Sequence, residues 1–161
     1  MIILGIDPGT ATTGFGVIDW RNGKPKFIGA GVISTTPDAE MPERLLTIQT
    51  EFTQLLKEFS PDEFAIELLY FAANVTTAMS VSQARGVIMA AAAKAKLRCH
   101  EYTPLQVKQA ITGYGRAEKK QMQEMVKTLL GLSETPKPDD AADALAIAIT
   151  HAHSKKASPK V

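Results

Sequence analysis

The chain has 161 residues, of which 45% are apolar and 22% charged, values that are ordinary for a soluble globular protein and sufficient to bury one core. A single cysteine, Cys99, excludes an internal disulfide framework, and the sequence shows neither a basic leader nor an apolar run long enough to span a membrane, so we expect a cytosolic protein. The net charge of +1 is unevenly distributed along the chain. Residues 1–67 contain five Lys/Arg and ten Asp/Glu, a net charge of −5, whereas residues 68–161 contain thirteen Lys/Arg and seven Asp/Glu, a net charge of +6. This distribution is a weak indication of an anionic partner.

Three strands with short connections open the chain. IILGIDPG is a short apolar strand ended by Pro-Gly turn chemistry, and TGFGVIDW (13–20) and KFIGAGVIST (26–35) are the next two strands. The Asn-Gly pair between the second and third strands suits a hairpin turn. Consecutive strands joined in this way predict an antiparallel meander.

Helices and two further strands follow. Apolar residues at helical spacing predict a helix over 43–59, and EFAIELLYF (63–71) is typical of a strand. The remaining predicted elements are an Ala-rich helix over 76–96, a strand over 97–103, and helices over 104–112, 118–130 and 139–153. The last helix is apolar nearly all round and should be buried. We therefore predict an α/β fold in one domain over 1–153, a five-stranded mixed sheet flanked by helices with its first three strands antiparallel, and a basic, disordered tail over 154–161.

Four carboxylates stand where packing does not require them. Asp7 ends the first strand, and Glu67 lies in the apolar run of the fourth. Asp140 and Asp143 share one face at the start of the buried last helix. Singly, Asp7 can stabilise a turn, and Asp140, like its neighbour Asp139, can cap the helix. Asp143 lies too far into the helix to cap it, and a buried carboxylate such as Glu67 is costly unless it is paired or binds a metal.

Together the four acids can form one pocket of oxygen ligands. Such ligands suit hard divalent cations, Mg²⁺ or Mn²⁺, and not Zn²⁺. Two such ions about 3.5–4 Å apart can promote an in-line displacement at a phosphate. Gathered carboxylates repel one another, so we expect a strained or partly protonated site without the metal.

The combination of motifs resembles one protein family. GIDPGT, AIE, SQARG (82–86), VKQAITGYGRAEKKQ (107–121) and DDAADALAIAITHAH are similar, in this order, to the bacterial RuvC Holliday junction resolvases over essentially residues 1–153. The resemblance implies a ribonuclease H-like fold and a cytoplasmic homodimer that cuts two opposed strands of a four-way DNA junction in recombination and repair. It places the catalytic metal ligands at Asp7, Glu67, Asp140 and Asp143, the same four acids, where we expect two Mg²⁺ per subunit with Mn²⁺ as a substitute. It also suggests the RuvA–RuvB branch-migration complex as a partner, for which no residue of this chain argues independently.

Basic residues near the acids are candidate DNA contacts. The resemblance places Lys108 and Lys119 near the scissile phosphate, where a lysine can stabilise developing charge, although a solvated helix surface is the alternative for both. Arg116 and Lys120 extend this basic segment. Arg85 is a further candidate, unless its stem only packs along its own helix.

The loop after Glu67 carries two aromatic residues, Tyr70 and Phe71. The resemblance predicts that one of them stacks on junction bases, and we expect the other to be core. Leu68 stands where many relatives have Gln, which leaves the fine structure of the loop and the preferred cleavage sequence open.

Two further expectations concern helices. The small residues of the 76–96 helix are the expected dimer contact, namely Ala78, Ser82, Gly86 and Ala90. His151 and His153 should stabilise the C-terminus of the last helix as cations rather than bind a metal.

Two other functions fit parts of the pattern. An actin-like or sugar-kinase-type ATP-binding protein also begins with a strand and a GIDxGT-type turn, which would explain Asp7 and the glycines at 9, 14 and 16. Such proteins need a second lobe and a second phosphate loop, and neither is seen in the sequence. A nucleic-acid-binding relative of the same fold that does not cut would not require all four acids.

Overall fold

The computed structural model describes residues 1–69 and 75–157, apart from the side chains at 76, 156 and 157. The strands are β1 (Ile2–Asp7), β2 (Thr12–Arg21), β3 (Lys24–Ser34), β4 (Glu63–Glu67) and β5 (Cys99–Tyr102). The helices are α1 (Met41–Phe59), α2 (Val75–Lys94), α3 (Pro104–Thr112), α4 (Lys119–Leu130) and α5 (Asp139–Ala157). Their order along the chain, βββαβαβααα, is the predicted order.

The five strands form one mixed sheet in the order β3-β2-β1-β4-β5. The first three strands are antiparallel neighbours, whereas β4 runs parallel to β1 and β5 runs parallel to β4. The β2–β3 turn places Asn22 and Gly23 at φ 51° and 78°, the positive values that a tight hairpin turn requires. The predicted mixed sheet with an antiparallel meander is confirmed.

The sheet is covered on both faces, as its alternating side chains require. One face, which includes Ile3 and Ala65, packs against α5, with α3 and α4 beyond. The opposite face, which includes Leu4 and Phe64, packs against α1 and α2. The buried part of α5 carries apolar side chains on all sides, as predicted for a helix enclosed by other elements.

Glycines let α5 lie directly on the backbone of the sheet. A Cβ atom added at Gly14 would lie 2.0 Å from the carbonyl oxygen of Asp140, and one at Gly16 would lie 2.6 Å from the backbone nitrogen of Leu145. A side chain at either position would therefore force the helix away from β2. Gly14 and Gly16 therefore have a packing role. Their presence no longer favours the alternative of an ATP-binding protein with a phosphate loop.

Most predicted boundaries are within two residues of the observed ones, but the ends of β4 and α5 each differ by four residues. β4 ends at Glu67 rather than at residue 71, and Leu68 and Leu69 lie outside any strand. The apolar residues after Glu67 do not extend the pairing of β4 with β5, although the Leu68 N–H still donates to the Tyr102 carbonyl at 2.8 Å. The end of the β4 strand therefore coincides with the carboxylate.

Helix α5 continues four residues past its predicted end at 153, so the start of the predicted disordered tail is helical. Ser154 donates a hydrogen bond to the Thr150 carbonyl at 2.9 Å, and Lys155 forms an ion pair with Glu63. The ion pair with Glu63 holds the last turn against the sheet, which the polar sequence did not indicate. Residues 158–161 of that tail lie outside the described residues. Within the described part of the chain, none of the helices has the length and apolar character needed to cross a bilayer.

Candidate active site

Asp7 and Glu67 are the last residues of two adjacent parallel strands. The register pairs Ile3 with Glu63 and Ile6 with Ile66, so Asp7 and Glu67 each lie one residue beyond the last of these pairs. Parallel neighbours are about 4.8 Å apart, and both residues fall on the side-chain phase that faces α5. The two carboxylates thus share one edge and one face of the sheet.

The turn after β1 holds Asp7 at this edge. Pro8 cannot donate to a strand ladder, and the Thr13 hydroxyl donates to the Gly9 carbonyl at 2.6 Å. Thr35 closes the same turn from β3's end, because its hydroxyl donates to the Thr10 carbonyl at 2.5 Å. The strand therefore stops directly after its carboxylate.

The other two acids come from the N-terminal end of α5. Asp143 lines a cleft with Asp7 and Glu67, whereas Asp140 lies one turn earlier and is not among the cleft-lining residues. The negative charge of Asp140 nevertheless acts on both Asp7 and Asp143, and raises the pKa of each. The close approach of α5 to Gly14 brings this end of the helix over the sheet edge.

The cleft has a volume of about 260 Å³. Its walls combine the acids with two lysines and apolar side chains from α3, α4 and α5. The lining residues are Asp7, Glu67, Pro104, Val107, Lys108, Lys119, Met122, Asp143, Ala146 and Ile147. The structure therefore brings together three of the four predicted carboxylates and both predicted lysines in one cleft.

Burial and mutual repulsion raise the pKa of these acids. Burial, followed by the charges of Glu67, Asp143 and Asp140, raises the pKa of Asp7 to about 8. Burial and then Asp143 raise the pKa of Glu67. Burial also raises the pKa of Asp143, and Lys119 only partly counteracts it. The direction of these shifts agrees with the partly protonated site that the sequence leads us to expect.

Lys119 lies at the mouth of the cleft and pairs with two carboxylates of α5. Its Nζ atom is 3.4 Å from Asp143 Oδ2 and 3.2 Å from Asp139 Oδ2. Asp139 also accepts a hydrogen bond from the Gln123 side chain at 2.9 Å. Sequence reasoning treated Asp139 as a helix cap, and missed that it holds Lys119 beside Asp143.

Lys108, on α3, also lines the cleft and lowers the pKa of Glu67 against the larger effect of burial. The two lysines thus act on different acids, Lys108 on Glu67 and Lys119 on Asp143. Positive charge thus reaches the cleft from both α3 and α4.

The remaining predicted DNA contacts lie outside the cleft lining. Arg116 and Lys120 are exposed, next to α4's first turn. Arg85 is instead drawn into the structure: it forms an ion pair with Glu101, and its Nε donates to the Glu67 carbonyl at 3.3 Å. Tyr70 and Phe71 lie outside the described residues.

The two histidines of α5 do not behave as predicted. His151 is 1% exposed and is followed by six more helical residues, so it is not at the helix C-terminus. Burial and then the neighbouring His100 lower the pKa of His151 to about 4, so its ring is neutral near pH 7 and cannot act as a cation. His153 packs edge-on against Trp20, with ring centroids 5.5 Å apart. The sequence placed both histidines at the end of the helix, whereas the helix continues past them and His151 is buried.

The donor set of the cleft fits a hard divalent cation. All four acids offer carboxylate oxygens and no sulfur or imidazole ligand, which is the chemistry of Mg²⁺ and Mn²⁺ sites. Within the described part of the chain, the cleft acids do not place three ligand oxygens within 4.8 Å of one another. Repulsion between like charges favours this spread, and a bound cation would offset it.

Comparison with known proteins gives one consistent result. The family model "Crossover junction endodeoxyribonuclease RuvC" matches residues 3–151. A protein of that name from Alkaliphilus metalliredigens is 55% identical over 154 residues, 96% of this chain and 94% of the relative. Another, from Halothermothrix orenii, is 50% identical over 160 residues, 99% of this chain and 97% of the relative.

Solved structures agree with this result. Thermus thermophilus RuvC in complex with Holliday junction substrate superposes with a TM-score of 0.93 at 37% identity, covering 98% of this chain and 96% of that one. The yeast mitochondrial Holliday junction resolvase Ydc2 shares the fold, with a TM-score of 0.69 at 16% identity, covering 96% of this chain and 80% of that one.

The fold is that of a ribonuclease H-like protein. Its mixed five-stranded sheet begins with an antiparallel meander and continues with two parallel strands, and acids lie at the ends of β1 and β4. Within that class, the matches over nearly the whole length are specific. The chain belongs to the RuvC family of crossover junction endodeoxyribonucleases.

Proposed function

We propose that this protein is a Holliday junction resolvase, which cuts two opposed strands of a four-way DNA junction by phosphodiester hydrolysis. The observation that carries the proposal is the cleft in which Asp7, Glu67 and Asp143 meet two lysines, in a chain of the RuvC family. The T. thermophilus relative whose structure contains a Holliday junction substrate supports the choice of DNA.

The proposed cofactor is Mg²⁺, two ions per subunit, with Mn²⁺ as a substitute. Asp7, Glu67, Asp140 and Asp143 would hold it, since their oxygens are the donors that these ions prefer. When bound, such ions activate water and stabilise charge on the phosphate oxygens. Asp7 must lose its proton to serve as a ligand, because its pKa of about 8 keeps it largely protonated at neutral pH without a cation.

The two lysines position the scissile phosphate in this proposal. Lys119 is 55% exposed at the cleft mouth and already paired with Asp143, so a phosphate entering the cleft meets a fixed cation. Lys108 contributes charge from α3, which lines the same cleft. Each would stabilise negative charge that increases on the phosphate during the reaction.

The path of the DNA outside the cleft is proposed from charge and exposure. Arg116 and Lys120 are exposed near α4 and would contact the phosphate backbone. Tyr70 or Phe71 would stack on junction bases. Arg85 is a weaker candidate, because its pairing with Glu101 and with the Glu67 backbone must be given up or shared.

A homodimer would present two such clefts to the two opposed strands. Helix α2 supports it with an exposed apolar strip, since Val75 and Met79 are 74% and 63% exposed and Gly86 has no atom within 4 Å of an added Cβ. Ser82 and Ala90 are exposed on the same helix, whereas Ala78 is buried in the subunit and would not take part. A two-fold axis through this face would match the symmetry of the junction.

Three further parts of the proposal rest on the family alone. They are a functional domain over 1–153, work in the bacterial cytoplasm, and cooperation with the RuvA–RuvB motor. Pull-down with that motor complex on junction DNA tests the last of them.

Cleavage of a synthetic four-way junction tests the central proposal. Wild-type protein with Mg²⁺ should give paired nicks at symmetric positions, and Asp143→Asn should abolish the nicks while junction binding in a gel-shift assay remains. Asp38→Asn, a substitution at an exposed acid outside the cleft, is the matched control and should cut normally. Binding without any cleavage by the wild type would favour the non-cutting relative, and unchanged cleavage by Asp143→Asn would refute the site.

A further inference from the structure

A second group of metal-binding side chains lies at the opposite end of β4. Glu63, His100 and His151 place their ligand atoms within 4.8 Å of one another. His100 Nε2 is 3.2 Å and His151 Nε2 is 3.4 Å from the same carboxylate oxygen, Glu63 Oε2. The two imidazole rings lie with centroids 4.3 Å apart, so both nitrogens face one small region beside the carboxylate.

One of these nitrogens, His100 Nε2, lies close to the carboxylate without forming a hydrogen bond to it. His100 Nε2 is buried and forms no hydrogen bond within the described residues, despite its distance of 3.2 Å from Glu63. A buried polar atom without a partner is uncommon and costs free energy unless something else binds it. A cation between His100 and Glu63 would satisfy this nitrogen.

The other histidine already has the support that metal ligands have. His151 Nδ1 lies 2.7 Å from the Tyr102 hydroxyl, so with a proton on Nδ1 the ring can donate to Tyr102 and offer the Nε2 lone pair to a metal. The ring is 1% exposed and cannot reorient freely. Glu63 is also oriented by a neighbour, because Lys155 pairs with its Oε1 atom. The other carboxylate oxygen, Oε2, faces the two histidines.

The scaffold keeps this group apart from the carboxylate cleft. Glu63 and Glu67 are four residues apart on β4, which is about 13 Å along a strand. Asp143 and His151 are eight residues apart on α5, which is about 12 Å along a helix. Because α5 runs antiparallel to β4, the two groups lie at opposite ends of the same strand–helix pair.

We propose that Glu63, His100 and His151 form a second cation site, which selects Zn²⁺ rather than Mg²⁺. Two imidazole nitrogens and one carboxylate oxygen are a donor set typical of zinc with water in the fourth position, and are poorly suited to magnesium. The site ties β4, β5 and α5 together at one point. Its expected consequence is a more stable fold, without participation in phosphodiester chemistry.

Zinc titration of the full-length, chelator-treated protein in Mg²⁺-free buffer tests the proposal. Calorimetry should show one Zn²⁺ per chain bound at this site, and Co²⁺ used as a probe should give the absorption bands of a tetrahedral complex. Zn²⁺ should also raise the melting temperature. His100→Asn, at a partly exposed position, should remove binding and the shift in melting temperature.

Three further variants distinguish this site from zinc binding in the carboxylate cleft or at a surface histidine. Tyr102→Phe should weaken Zn²⁺ binding by about tenfold, as loss of a group that orients a ligand does. Asp143→Asn and His153→Asn should bind Zn²⁺ as the wild type does, because one alters the carboxylate cleft and the other a histidine packed on Trp20. Absence of Zn²⁺ binding by the wild type, equal binding by His100→Asn, or loss of binding in Asp143→Asn would each refute the proposal.

Discussion

The raised pKa of Asp7 predicts that the metal-free protein loses stability as the pH rises. The Asp7 carboxyl has a pKa of about 8 in the fold, against 3.8 for the ordinary group. Between these values the folded state holds a proton that the unfolded state has released, so stability falls with increasing pH. Replacement by Asn removes this titration and keeps the size and much of the polarity of the side chain.

The magnitude follows from linkage. Each pH unit inside the window changes the free energy of unfolding by about 1.4 kcal/mol, so the advantage of Asp7→Asn over the wild type should grow by about 3 kcal/mol from pH 5 to pH 7. Comparing the variant with the wild type at each pH cancels groups that titrate equally in both, including His151. Relaxation around the charge would reduce the value, but not reverse its sign.

Urea unfolding in the presence of EDTA, at pH 5, 6 and 7, measures this difference. Asp139→Asn is the matched control: Lys119 lowers the pKa of Asp139 below the ordinary value of 3.8, so Asp139 is ionised in both the folded and the unfolded state from pH 5 to 7. The difference in stability between that variant and the wild type should therefore not change with pH over this range. Saturating Mg²⁺ should stabilise the wild type and leave Asp7→Asn largely unaffected. A difference between Asp7→Asn and the wild type that does not change with pH would refute the reasoning, because it would mean that Asp7 is ionised in the fold.

Three other outcomes follow from the same structure. The apparent Mg²⁺ affinity measured by calorimetry should rise about tenfold per pH unit up to pH 8 and then level off, because binding must displace the Asp7 proton; a flat profile from pH 6 to 8 would contradict this. Lys119→Met should shift the pH profile of junction cleavage to higher pH, because Lys119 lowers the pKa values of Asp143 and Asp7. Lys120→Met is the control and should leave the pH profile unchanged. Identical pH profiles for the two variants would count against the role assigned to Lys119. Gly14→Ala should lower the free energy of unfolding by about 1–3 kcal/mol through overpacking against Asp140, whereas Gly86→Ala, with open space around it, should raise it by up to about 1 kcal/mol; urea unfolding that ranks the two in the other order would show that α5 moves freely.

Much of the fold could be predicted because the hydrophobic pattern and the turn residues agree. The Asn-Gly turn and the alternating strands around it defined the meander, and Pro104 correctly began α3. The boundaries that failed lie where tertiary contacts override local sequence. Strand β4 ends four residues before its predicted end, although apolar residues follow it in the sequence. Helix α5 continues through Ser154 and Lys155, because Lys155 pairs with Glu63.

The acids of the site were predictable for a different reason. A carboxylate in an apolar segment is costly, so Asp7, Glu67 and Asp143 stood out by chemistry alone. Asp139 and the group around His151 did not, because their roles depend on which residues meet across the fold. Lys119 reaches Asp139 from another helix, and Glu63 and His151 are 88 residues apart in sequence. Contacts between residues so far apart in the sequence leave no signal in the local sequence pattern.

The glycine contacts between the sheet and α5 determine how the site can vary among proteins built this way. A helix that touches the strands through main-chain atoms has one closest spacing, fixed by atomic radii. The span from the strand-end acids to the helix-borne acids is therefore fixed by the backbone, whatever apolar side chains fill the rest of the core. Substitutions elsewhere in the core can change stability without altering the distance at which a cation would be held.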